Sequence, residues 1–168
     1  MNLAKLSSDS SVLIYIGSQK FSADFIKGYL LRQYSFSEYK TSKITKSRSA
    51  TLMLNKPLDF KKSLEEIKAT VDGVFFTRDL VNEPANILTT VEFSKRLQKL
   101  STLGIEVEVL EEKQLSDLGM NALLGVGQGS ANPSKVVVMS WKGGSKSSRP
   151  LALVGKGCLL YTSPSPRD

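Results

Sequence analysis

Lys156 stands between Gly155 and Gly157 at the end of the apolar run Leu151-Ala152-Leu153-Val154. A glycine on each side lets another group approach the backbone closely. In an open α/β sheet, ligands collect at the carboxyl ends of strands. An amine in that position can serve a ligand, although a surface lysine at a strand end has the same spacing. The chain contains no histidine. Ser-His and Cys-His nucleophile systems and most zinc sites are therefore excluded, and any metal would need carboxylate, carbonyl or amine ligands. Gly125-Val126-Gly127-Gln128-Gly129-Ser130 imitates a phosphate-cradling loop. It lacks the strand-turn-helix context of a dinucleotide fingerprint and the following lysine of a P-loop, so it reads as a tight turn. Arg78, Asp79, Asn82 and Asn86 crowd one junction. Asn86 can satisfy loop backbone groups, Arg78 with Asp79 can cap or pair locally, and all four read as structural.

The elements that must position these residues alternate between helix and strand. Val12 to Ile16 reads as a buried strand closed by Gly17. Ser22 is a candidate cap for a helix from Ala23 to Tyr34 with Phe25, Ile26, Tyr29 and Leu30 on its apolar face. A short strand, Thr51 to Leu54, follows. Phe60, Leu64, Ile67, Val71, Val74 and Phe75 recur at steps of three and four, which predicts a long helix from Leu58 to Asn82. Gly73 lies inside it. Pro84 disfavours the α conformation at Glu83 and should stop the helix at Asn82. Thr89, with Glu92 three residues on and the pair Leu88 and Phe93, predicts a capped and stapled helix from Thr90 to Leu103. Phe93, Leu97 and Leu100 face inward, and Gly104 is the stop. Ile105 to Val109 alternates as a strand with one wet face. A short helix from Glu112 to Leu118 ends at Gly119. Val136 to Trp141 and Leu151 to Val154 read as central strands, and Trp141 to Lys146 as a turn. The pattern is α/β.

Composition sets the outer bounds. The 168 residues are 40% hydrophobic and 23% charged, an ordinary globular balance. The apolar run Val12 to Ile16 is far short of the roughly 20 residues of a membrane helix. No basic region feeds a signal-peptide core, and there is one cysteine. The cytoplasm is the default compartment and no disulfide framework is possible. The net charge is +7, with Lys40, Lys43, Lys46 and Arg48 in a Ser/Thr-rich stretch. That run can touch nucleic acid or acidic lipid; without aromatic interleaving it reads as a solvated loop.

Three stretches in order carry a resemblance: Thr77-Arg78-Asp79-Leu80-Val81-Asn82-Glu83-Pro84-Ala85-Asn86 with the following Thr and Phe, Gly119 to Ser130, and Leu151 to Gly157. Together they resemble the leucyl (cytosol) aminopeptidases, the hexameric dinuclear-metal peptidases of the M17 type. The resemblance implies the end of an N-terminal macro-like α/β domain over 1–57 and a linking helix over 58–83. Over 84–157 it implies the first helices and strands of a mixed-sheet, exopeptidase-like catalytic domain. It implies peptide substrates, a homo-hexamer, no membrane, and two divalent ions (Mn, Zn or Mg) that activate a water molecule. Lys156 becomes a metal ligand through a neutral amine, which burial and adjacent cations favour. The family's remaining ligands, a second lysine and an arginine, have no counterparts after Gly157. Tyr161 and Pro164 do not replace them, and Asp168 is not promoted.

Cys158 to Asp168 matches nothing in the family and looks like a translated sequencing adapter, so 158–168 is expected to be a non-native tail and Met1 an internal start. The chain is then a fragment without catalytic residues, expected to be inactive and to bind no metal pair. Two other classes stay open: a DNA-binding accessory protein of the same family, and a non-catalytic α/β interaction module. A salt-dependent gel shift separates the first of these.

Overall fold

The computed structural model describes residues 12–17, 19–41, 50–54, 57–145 and 149–157. Its elements run β1 (Val12–Ile16), α1 (Gln19–Arg32), β2 (Ala50–Leu54), α2 (Pro57–Asn82), α3 (Thr90–Gln98), a 3₁₀ turn (Lys99–Leu103), β3 (Glu106–Leu110), α4 (Glu112–Asp117), α5 (Asn121–Gly127) and β4 (Val136–Ser140). The fold is mixed α/β. The chain divides into two compact units, Met1–Asn82 and Glu83–Asp168. Among the described residues, no helix is long and apolar enough to cross a membrane.

In the first unit β1 and β2 pair in parallel, with Ile14 opposite Leu52. A parallel pair needs a crossover connection, here through α1. The core joins Ile26 of α1 to Phe60, Ile67 and Val71 of α2, with Leu30, Leu31, Leu52, Leu54, Leu64 and Phe75 packed around them. The three-and-four spacing on α2 thus selects its buried stripe. On α1 the expectation needs two corrections. Phe25 faces outward, and Ser22 is fully buried inside the helix rather than capping it. Ser22, Ile26 and Leu30 lie four apart, so a small buried serine belongs to the same inward row as the apolar residues.

Gly73 sits in α2, and a Cβ placed there meets nothing within 4 Å. Gly73→Ala should therefore raise stability by about 1 kcal/mol, through lost unfolded-state freedom and better helix propensity. A chemical denaturation midpoint that stays put or falls would contradict this.

In the second unit β3 and β4 are antiparallel, Glu106 opposite Ser140 and Leu110 opposite Val136. Glu106 and Glu108 are exposed and Val107 and Val109 half-buried, the wet-face alternation expected of that strand. The helix from Thr90 tightens to a 3₁₀ turn at Lys99 and ends where Gly104 adopts φ +83°, a conformation that costs glycine nothing. The loop of alternating glycines is only partly a turn. Asn121–Gly127 is helical, and turn geometry begins at Gln128. Gly127 is required there, because a Cβ would overlap the Ser134 hydroxyl.

Three strand expectations need correction: β1 forms but is not buried, with Leu13 and Tyr15 exposed, β4 forms but is not central, and the third strand is absent. Among the described residues β4 pairs only with β3, and Val138 and Met139 are exposed. Leu151 to Val154 forms no strand, and Val154 is 99% exposed. An apolar run becomes a strand only when a neighbour takes its backbone N–H and C=O groups, and no described residue does so. The turn read at Trp141 to Lys146 is described only through Ser145 and leads into no strand. The tail at 158–168, and Lys43, Lys46 and Arg48 of the basic run, lie outside the described residues.

Candidate functional site

The segment bearing Lys156 is located by α3. A Cβ at Gly157 would come 3.2 Å from Cε1 and 3.8 Å from Cδ1 of Phe93, so the backbone there passes close to the Phe93 ring. The start of α3 is fixed by its cap. The Thr89 hydroxyl accepts from the Glu92 N–H at 3.2 Å, and Leu88 just before it is buried. The expected capping box closes on this side only. The Thr89 N–H donates to the Ile87 carbonyl at 3.0 Å, while the Glu92 carboxylate turns to Arg96 at 3.1 Å. The turn before the cap is built by Pro84, whose carbonyl accepts from the N–H groups of Ile87 and Leu88, both at 2.9 Å.

Arg96 ties this turn to the helix. Its Nη1 donates to Oε1 of Glu83 at 2.7 Å, with the Glu83 side chain only 7% exposed. Its Nε meets Glu92, one helical turn earlier. Glu83 foremost, then Glu92, holds the guanidinium more firmly protonated than usual. Sequence reasoning treated Glu83 only as the residue before a proline and missed this pair. The i,i+4 spacing of Glu92 and Arg96 was the available signal, but it points to the more exposed of the two carboxylates.

The loop from Gln128 to Lys135 is held to α4 by charge. The Ser134 N–H donates to Oε1 of Glu112 at 2.8 Å, and the Lys135 ammonium bonds Oε1 of Glu111 at 2.6 Å. Lys142 pairs with Glu106 across β3 and β4, with both side chains well exposed. These carboxylates are engaged in holding the unit together.

Lys156 itself is exposed. Burial, one of the two conditions that favour a neutral ligating amine, is not met in the described segment. Among the described residues, no three His, Cys, Asp or Glu side chains come together in a way that could hold a metal ion. Hard divalent ions want several oxygen ligands, so the described residues do not by themselves fit a two-metal centre.

Arg78 and Asp79 do not pair with each other as expected, and the Asn82 amide donates to the Arg78 carbonyl at 2.9 Å. All three converge on Tyr34 at the end of α1. Asp79 accepts from its hydroxyl at 2.8 Å, Asn82 donates to the same oxygen at 3.0 Å, and the Arg78 guanidinium lies 4.7 Å from the ring centroid. Asn86 is exposed in the following turn.

Residues 75–162, just over half of the chain, match the model of the cytosol aminopeptidase family, catalytic domain, so the match extends through 158–162, part of the stretch that was expected to match nothing in the family. A probable cytosol aminopeptidase of Cereibacter sphaeroides is 46% identical over 155 residues, which cover 92% of this chain and 32% of the relative. The chain spans about a third of the length of such relatives. The solved bottromycin maturation enzyme BotP, in complex with Mn, is 29% identical with a TM-score of 0.59, covering 70% of this chain and 24% of that one. A tomato leucine aminopeptidase mutant shares the fold at 22% identity and a TM-score of 0.69, covering 80% of this chain and 30% of its own. A DNA-binding role and a non-catalytic module draw no support from these matches.

Proposed function

This chain belongs to the cytosol aminopeptidase family, and we propose that the complete protein is a metal-dependent aminopeptidase releasing N-terminal residues from peptides. The observation that carries this reading is the family match from Phe75 onward. It takes in all three ordered motifs. In the same proposal residues 1–57 are the end of an N-terminal α/β domain, 58–83 the linking helix and 84–157 the beginning of the catalytic domain. Lys156 is one ligand of a divalent-metal centre. Two ions drawn from manganese, zinc or magnesium, a homo-hexamer and a cytoplasmic location complete the reading. The manganese in the related BotP structure supports divalent-metal use.

The part played by the residues on hand is positional. Glu83, Arg96 and Thr89 fix the entry and direction of α3, and Phe93 of that helix supports the backbone beside Lys156. The remaining oxygen ligands must come from outside the described residues. The 168-residue chain alone, incubated with manganese and a chromogenic leucine substrate, should therefore give no turnover, whereas the complete protein should hydrolyse that substrate and lose the activity to a chelator. A complete protein that is inert with manganese, zinc and magnesium alike would remove the proposal.

A further inference from the structure

The last turn of α2 has little apolar packing to keep it folded. The last α2 residue in the core cluster of the first unit is Phe75. Beyond it Phe76 and Leu80 are only half-buried, Arg78, Asp79 and Asn82 are exposed, and Val81 is 79% exposed. Thr77 bonds back to the Gly73 carbonyl at 2.9 Å, an arrangement that slightly weakens a helix. Pro84 lies two residues past the end and cannot continue it. A helix end of this kind frays.

The same turn places three side chains on one residue that is 45 positions upstream of Asp79. The Tyr34 hydroxyl donates to Asp79 and accepts from Asn82, whose amide also donates to the Arg78 carbonyl at 2.9 Å. Arg78 stacks over the Tyr34 ring and donates through Nη1 to the Leu31 carbonyl at 3.3 Å. Leu31 is in the final turn of α1, where carbonyls lack helical partners and a cation is favoured. The Phe75 ring lies tilted against the Tyr34 ring, 5.2 Å between centroids. Desolvation foremost, with Asp79, pushes the Tyr34 hydroxyl's pKa up against the lowering effect of Asn82 and Arg78.

We propose that Tyr34 is a clasp whose contacts with Arg78, Asp79 and Asn82 decide whether the last turn of α2 is helical. Residues 78–82 lie within the stretch that matches the family model, so the clasp links α1 to the first residues of that stretch. This holds whatever the complete protein catalyses.

Amide hydrogen exchange on the 168-residue chain tests it. In Tyr34→Phe, which keeps the ring but removes the hydroxyl, the amides of Leu80, Val81 and Asn82 should exchange about tenfold faster, while those from Ile67 to Val71 stay within about a factor of two. Asp79→Ala, at an exposed position, should do the same should Tyr34→Phe fail to fold. Asp79→Asn, which keeps an oxygen acceptor, should restore the slow exchange. Unchanged rates at 80–82, or an equal acceleration along all of α2, would overturn the clasp.

Discussion

Arg96→Ala should lower the stability of the second unit by about 3 kcal/mol, the low end for removing one partner of a buried ion pair. The Glu83 carboxylate, 7% exposed, would lose the guanidinium 2.7 Å away. A desolvated carboxylate without its cation is far costlier than a missing surface contact. Glu92→Ala is the control. Its side chain is 37% exposed, and an exposed i,i+4 pair contributes only about 0.3–0.5 kcal/mol. Arg96→Lys should recover part of the loss, because one ammonium cannot serve two carboxylates with the geometry of a planar fork. Denaturation midpoints of the three variants decide the matter. Equal small losses for Arg96→Ala and Glu92→Ala would show that Glu83 gains nothing from the pair.

Leu115→Ala should destabilise the same unit by about 2–5 kcal/mol, the range for emptying a well-packed leucine site. Leu115 is 0% exposed, the largest fully buried side chain among the described residues. Its surroundings are tethered. The Glu111 N–H donates to Oε1 of Gln114 at 3.0 Å, and Lys135 and Ser134 bind Glu111 and Glu112. Gly119 closes the helix at φ +71°. A site fixed on several sides collapses poorly around a void, which favours the upper half of the range. Leu115→Met, which nearly conserves volume, should lose less than about 1.5 kcal/mol. A calorimetric or denaturant scan showing equal losses for the two variants would contradict this account of packing.

Much of the fold was legible because local chemistry and tertiary context agreed. The stripe from Phe60 to Phe75, the stop before Pro84, the Thr89 cap and the Gly104 stop all appear where the pattern puts them. Each depends on residues within one or two turns of each other. The misses depend on partners distant in sequence. Leu151 to Val154 has the composition of a central strand, but a strand also needs a neighbour, and composition cannot supply one. Ser22 carries a capping hydroxyl, yet α1 begins at Gln19 and Ser22 is buried within it, four residues before Ile26 of the core. Arg78 and Asp79 looked like a local pair; their shared partner is Tyr34, 45 positions before Asp79. Of the candidate site, the position of Lys156 between two glycines was readable, and its support on Phe93 was not.

The most direct test of the central claim is the metal content of the complete protein with and without Lys156→Met, measured on purified, dialysed samples together with peptide hydrolysis. The account predicts two divalent ions per chain in the parent and the loss of about one in the variant. Hydrolysis should fall by about a thousandfold or more, because a two-metal centre acts as a unit. A variant that keeps both ions and its rate would show that the amine at position 156 is no ligand, and the assignment built on it would have to be withdrawn.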